Sequence, residues 1–243
     1  MSSEMSPNKV IYEGKAKKIL KGSEKNTLIQ VFKDDATAYN KKKHKIFNGK
    51  GILNNKISEH IMLYLNSKKV PTHFKKRLND REQLIKKCKI IPIEFVVRNI
   101  VAGSLAQKLG IKEGKKLKKP ILEYYFKKDS LNDPMVMRDH IEIFGWASKA
   151  ELKKIDKISL RINKLLSNYF KKKNIILVDF KIEFGRLSSN PKQVVLADEI
   201  TPDSCRLWDQ KSKKKLDKDV FRKDLGSLMK AYQEVASRLG IVH

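Results

Sequence analysis

Residues 178–184 read Val178-Asp179-Phe180-Lys181-Ile182-Glu183-Phe184, a strict alternation of apolar and charged side chains. A period of two belongs to a β-strand, with Asp179, Lys181 and Glu183 on one face and Val178, Phe180, Ile182 and Phe184 packed on the other. An exposed outer face accounts for the charges equally well. A later strand, 194–197, runs into Asp198-Glu199. If the two strands pair, a second set of carboxylates comes within reach of the first. Mg²⁺ is commonly held by one or two carboxylates together with phosphate oxygens and water, so Glu183 and Asp198 suffice as metal ligands without His or Cys. Lys181, between the acids, would hold their geometry or contact a substrate anion.

The clearest helix precedes this strand. Ser148 and Glu151 form a capping-box pair, and Leu152, Ile155, Ile162, Leu165 and Tyr169 recur on one face. A final helix is expected over 219–239, with Phe221, Leu225, Leu228, Tyr232 and Val235 inward. Towards the N-terminus, strands are expected at 10–12, 16–20 and 27–32, a helix over 51–66, then strands at 72–76, about 84–87 and 90–99. A short helix over 104–109 stops at Gly110, and a strand follows near 122–126. Strands and helices cluster instead of alternating as βαβ units, which predicts an α+β fold with a mainly antiparallel sheet.

The chain has 243 residues and a formal net charge of +27, which invites a nucleic-acid reading. Only nine of the 54 basic residues are Arg, however, and the lysines lie in scattered groups such as Lys41 to Lys43, Lys171 to Lys173 and Lys213 to Lys215. Base recognition needs Arg forks and stacking aromatics concentrated on one surface. No specific nucleic-acid partner is therefore expected; the excess reads as solvated lysine that also draws anionic small substrates inward. No apolar run approaches the ~20 residues that cross a bilayer. The first nine residues lack the apolar core of a secretion signal, and Cys88 and Cys205 lie far apart without a CxxC partner. These features predict a soluble, cytoplasmic protein with neither a membrane partner nor a disulfide framework.

Two further groups bear on chemistry. Tyr12-Glu13-Gly14-Lys15-Ala16-Lys17 reads as strand, glycine turn and returning strand. Within a strand, lysines at spacing two share a face roughly 7 Å apart and suit two phosphates, although a solvated hairpin looks the same. Arg98, Asn99, Gly103 and Ser104 join an apolar strand to a helix start, a good place for a phosphate monoester. Where lysine dominates, the choice of Arg at 98, and at 206 beside Asp203 and Asp209, suggests bidentate recognition; structural ion pairs remain the alternative. No GxSxG or Walker-type loop is present, and the five histidines show no ligand spacing. On these residues alone, a phosphate-handling kinase and a ligase are both open.

The motifs together resemble the phosphoribosylaminoimidazole-succinocarboxamide synthase (SAICAR synthetase) family. The likeness is carried by YEGKAKKIL from Tyr12, FKDDATAYN from Phe32, GKGILNNKISE from Gly49, IPIEFVVRNIVAGSLAQKLGI from Ile91, NDPMV from Asn132, LVDFKIEFG from Leu177 and LADEITPDSCRLWD from Leu196. It implies an ATP-grasp-like arrangement, with an N-terminal ATP-binding lobe over 1–89 and a C-terminal lobe over 90–243. It also implies an ATP-dependent ligase of purine biosynthesis that joins L-aspartate to the carboxylate of carboxyaminoimidazole ribonucleotide. Carried over by position, Lys15, Ala16, Lys17 and Lys127 match ATP-site residues, and Ile90 falls near the hinge facing adenine. Glu183 and Asp198 match the Mg²⁺ carboxylates. Arg98, Ser104 and Arg206 match the ribonucleotide site, with Asp179 and Lys181 lining the same cleft; Asp179, Lys181 and Arg206 are the catalytic candidates. Asn40, Lys50 and Asp219 are candidates for the aspartate pocket, and the family's bacterial members suggest a homodimer. Lys41 stands where many members have glycine, and Asn48 replaces a common glutamate, so that loop departs from the family pattern.

Overall fold

In the computed structural model, which describes residues 9–38 and 42–241, the short apolar runs of the first third form the antiparallel strands β1 (Val10–Glu13), β2 (Lys17–Lys21) and β3 (Thr27–Phe32). β4 (Asp35–Ala38) pairs with β5 (Lys43–Ile46), and α1 (Lys50–Ser67), β6 (Phe74–Arg77) and β7 (Glu82–Lys86) follow. β7 returns to β3, giving a five-stranded sheet in the order β1-β2-β3-β7-β6. Leu53, Ile57, Ile61 and Leu65, four residues apart, form the buried stripe of α1.

β8 (Cys88–Ile100) leads into a second sheet. Along the chain come α2 (Gly103–Leu109), β9 (Lys116–Phe126), β10 (Met135–Val136), α3 (Arg138–Ile143), α4 (Lys149–Lys171), β11 (Ile175–Leu187), β12 (Asn190–Ala197) and β13 (Cys205–Asp209). The order is β10-β9-β8-β11-β12, and β13 pairs with the first half of β11. The expected alternation holds along most of β11: Phe180, Ile182 and Phe184 share one core with Leu152, Ile155 and Ile162 of α4. Val178 departs from it. A shift in pairing between Leu177 and Asp179 lets Val178 pack separately, with Ala102 and Trp208. α4 starts in the expected capping box, with Ser148 Oγ accepting the Glu151 N–H and a Glu151 carboxylate oxygen accepting the Ser148 N–H.

The single C-terminal helix expected over 219–239 is two, α5 (Asp219–Arg222) and α6 (Leu228–Leu239). Gly226 takes a φ of 126°, and Ser227 caps the new start by accepting the Lys230 N–H, so Leu225 is exposed instead of inward. α6 packs on α1, tying the end of the chain to the helix of the first sheet. Among the described residues, no helix is long and apolar enough to cross a membrane, and both cysteines are free.

Candidate active site

β11 has β8 along one edge; the other edge is shared between β13, beside its first half, and β12, beside its second. β12 leaves after Ala197 and β13 arrives at Cys205, so the edge lies open near Lys181, whose backbone N–H is met by the Ser204 carbonyl. Pairing puts Arg98 and Arg206 opposite Asp179 from the two sides. Arg98 Nη1 donates to Asp179 Oδ2 at 2.9 Å, and Arg206 Nη1 donates to both Asp179 oxygens at 3.1 Å. Arg206 Nε continues to Asp219 at 2.9 Å, and Arg222 reaches the same carboxylate at 2.6 Å. At the other end, Arg98 Nε donates to Glu123 at 2.9 Å. Three arginines therefore alternate with three carboxylates across five elements. Burial works against the charge of Arg206, but Asp179 and Asp219 hold its pKa above the ordinary arginine value.

A cavity of about 200 Å³ opens over this ladder, lined by Arg98, Ser104, Tyr125, Lys181 and Arg222 among others. Ser104 Oγ accepts from Arg98 Nη2 at 2.9 Å. Gly103, at φ +53°, lets the Arg206 guanidinium lie against the chain: a Cβ there would sit 2.2 Å from Nη2.

Farther along β11 the chemistry changes from arginine to lysine. Lys181 Nζ donates to Glu94 at 2.6 Å and stands 3.8 Å from Glu183. Lys127 donates to Glu183 at 2.6 Å, while Lys17 bonds Asp198 and lies 3.5 Å from Glu199. Glu183 pairs in register with Ala197, so the two strands pair as the sequence reading required and Asp198 and Glu199 follow directly after the residue opposite Glu183. Asp198 adopts φ 60° directly after β12. Burial opposes ionisation of Glu183, yet Lys127 and Lys181 bring its pKa below the usual value; the same attraction from Glu94 and Glu183 outweighs burial at Lys181 and raises it. For Lys17 burial wins and its pKa falls.

The lysines neutralise carboxylates that suit a hard cation, and Glu199 Oε2 is buried without a partner among the described residues. Glu183 and Asp198, with phosphate oxygens and water, fit Mg²⁺. No group of three or more His, Cys, Asp or Glu gathers for a metal among the described residues, so an ion here would lean on phosphate as much as on protein.

The remaining candidates fall in different places. Lys15 lies in the turn before β2, outside the strand geometry that would align it with Lys17, and its ammonium goes to Asp129 at 2.9 Å. The Ala16 carbonyl accepts the Lys33 N–H. Ile90 is partly exposed on β8 opposite Gly185. Lys50 is wholly buried, 2.5 Å from Asp203, which also accepts from Asn54 and Tyr232. Asp219 belongs to the ladder, and Asn40 lies outside the described residues. Glu94, Glu123, Tyr125 and Arg222 were not singled out from sequence. Glu94, Val96 and Arg98 repeat the spacing of two that exposed Asp179, Lys181 and Glu183, so that signal was present; Arg222 carried only the scarcity of arginine.

An arginine–carboxylate ladder beside lysine-paired carboxylates, on one central strand of an antiparallel sheet, makes a charged cleft whose groups suit phosphorylated and carboxylated small molecules. The SAICAR synthetase family model matches residues 10–239, and the chain belongs to that family of ATP-dependent ligases of purine biosynthesis. It is 58% identical to the phosphoribosylaminoimidazole-succinocarboxamide synthase of Sinorhizobium fredii (strain NBRC 101917 / NGR234) over 240 residues, 98% of this chain and 94% of that one. The crystal structure of the enzyme of that name from Ehrlichia chaffeensis matches with a TM-score of 0.95 at 49% identity, covering 97% of this chain and all of that one. A SAICAR synthetase in complex with ADP matches with a TM-score of 0.90 at 46% identity, covering 94% and 96%. The fold is the α+β, ATP-grasp-like architecture of these enzymes.

Proposed function

We propose that this chain joins the amine of L-aspartate to the carboxylate of 5-amino-1-(5-phospho-D-ribosyl)imidazole-4-carboxylate in the cytoplasm, converting ATP to ADP and phosphate. The observation that carries the site assignment is the sequence of groups along β11: Asp179 in the arginine ladder, Lys181 at the open edge and Glu183 among the lysines. Two anionic substrates can lie side by side there, with Lys181 between them.

A carboxylate resists acylation because its charge repels nucleophiles and oxide leaves poorly. Transfer of the γ-phosphoryl group to the carboxylate removes both obstacles; the aspartate amine then displaces phosphate, which takes up the amine's proton. The chain's part is positioning and charge stabilisation. Lys15, the Ala16 backbone, Lys17 and Lys127 hold the ATP phosphates, and Ile90 faces adenine where the lobe over 1–89 meets that over 90–243. Glu183 and Asp198 would hold Mg²⁺, which when bound neutralises phosphate charge. Arg98, Ser104 and Arg206 bind the ribonucleotide, while Asp179 fixes both guanidinium groups. Lys181 meets the charge that develops between carboxylate and phosphoryl group. Lys50 and Asp219 support the aspartate region from beneath, through Asp203 and Arg206, and Asn40 completes the candidate set. A homodimer rests on the resemblance to bacterial members.

A coupled assay that omits one substrate at a time tests this reading. ADP formation should require both ribonucleotide and aspartate and yield the succinocarboxamide. ADP and phosphorylated ribonucleotide accumulating without aspartate would replace the ligase with a kinase.

A further inference from the structure

Arg98 is buried, and its guanidinium could turn about four side-chain bonds, yet the cleft needs it in one orientation. Asp179 is shared with Arg206 and cannot fix Arg98 alone. Ser104 Oγ holds only Nη2; the partner of the Nε edge is Glu123 on β9, which is buried. Its Oε2 accepts Arg98 Nε at 2.9 Å, lies 2.9 Å from Nη2 and accepts the Tyr125 hydroxyl at 2.8 Å. The Tyr125 oxygen in turn lies 3.3 Å from Nη2. Pairing sets β9 beside β8 with Glu123 opposite Val96 and Tyr125 opposite Glu94, so both stand on the face that carries Arg98.

We propose that Glu123, braced by Tyr125, is a positioning residue for the ribonucleotide: it grips the Nε edge of Arg98 and so presents the Nη groups to the cleft beside Ser104 and Asp179. The proposal rests on the cleft being the ribonucleotide site. It differs in sign from a role in charge balance. Removing the negative charge of Glu123 leaves the cleft more positive, which by attraction alone would tighten an anionic ligand. Loss of orientation does the opposite, because a rotated fork no longer offers paired donors.

The test is steady-state kinetics and ribonucleotide binding by calorimetry with Glu123→Gln, Glu123→Asp and Tyr125→Phe, alongside unaltered enzyme. Glu123→Gln should raise the KM and Kd for ribonucleotide about tenfold, the scale of a charge-assisted hydrogen bond, and leave the KM for ATP within twofold. Glu123→Asp should recover part of the loss. Tyr125→Phe should raise the ribonucleotide KM by a smaller factor. An unchanged or lowered ribonucleotide KM in folded Glu123→Gln would overturn the proposal, as would equal losses for ATP and ribonucleotide. Should Glu123→Gln not fold, Tyr125→Phe decides, and an unchanged KM there defeats the idea. Failure of unaltered enzyme to bind ribonucleotide would instead strike the assignment of the cleft.

Discussion

Lys17 and Asp198 bond each other directly, joining the start of β2 to the residue that follows β12. Two groups assigned to opposite charges of one substrate therefore satisfy each other. Under the proposed function, binding ATP with Mg²⁺ would exchange these partners, sending the ammonium to phosphate and the carboxylate to the cation.

Lys17→Met should accordingly raise the KM for ATP by about tenfold while leaving that for ribonucleotide near its starting value. Asp198 is left without its ammonium but keeps some contact with solvent, so thermal stability should change little. A large fall in Tm with unchanged ATP kinetics would make Lys17 a structural residue.

Glu183→Gln and Asp198→Asn should each cut turnover by tenfold or more, on the scale seen when metal sites lose supporting groups, and should shift the Mg²⁺ dependence of activity to higher concentration. Circular dichroism should report an intact fold. Near-normal turnover in both variants at low Mg²⁺ would remove them as ligands.

Arg98→Lys keeps the charge and loses the fork that now reaches Glu123, Asp179, Ser104 and Tyr125. Ribonucleotide KM should rise about tenfold or more, with ATP affinity maintained. Indistinguishable ribonucleotide kinetics would show that a point charge suffices.

Gly103→Ala confronts both a left-handed backbone and the Arg206 guanidinium. Strain of about 1–2 kcal/mol should appear as a lower Tm, and displaced Arg206 as weaker ribonucleotide binding. Calorimetry with ATP analogues should remain close to normal; a variant equal to the parent in Tm and ribonucleotide affinity contradicts the close approach.

Asp217 is wholly buried, accepting the backbone N–H groups of Leu207 and Asp219, and burial, then the nearby Asp219 charge, push its pKa up to about 7. An unfolded aspartate titrates near 3.8. The folded chain thus holds this proton more tightly, so the stability it contributes is complete below about pH 4 and fades as pH rises towards 7. Asp217→Asn loses a backbone acceptor at every pH but cannot titrate. Its stability deficit relative to the parent should therefore shrink between pH 4 and 7, as read by denaturant melts; a constant deficit would exclude titration of Asp217.

Much of this architecture was legible as periodicity. The alternation at 178–184 marked a strand and placed Asp179 with Glu183; the Ser148 cap located α4. What periodicity could not convey was registry between distant segments. Nothing in the local sequence sets Arg98 and Arg206 on either side of Asp179, because that depends on which strands pair and on the bulge at Val178. The shared face read for Lys15 and Lys17 fails for a related reason: spacing two aligns side chains only inside a strand, and Lys15 precedes it. The break between α5 and α6 was signalled by Gly226-Ser227, but the apolar positions on either side kept a continuous helical phase.

The ladder also bears on how ionic strength acts on the enzyme. Glu123, Asp179 and Asp219 balance Arg98, Arg206 and Arg222, so this row carries no net formal charge and its field falls off faster with distance than that of a free charge. Long-range attraction comes from the many outer lysines of a +27 chain, and added salt damps it over about 10 Å at 0.1 M. If ribonucleotide binds this row as proposed, its arrival should be the salt-sensitive event, while its residence, set by short bonds inside the row, should be governed by geometry.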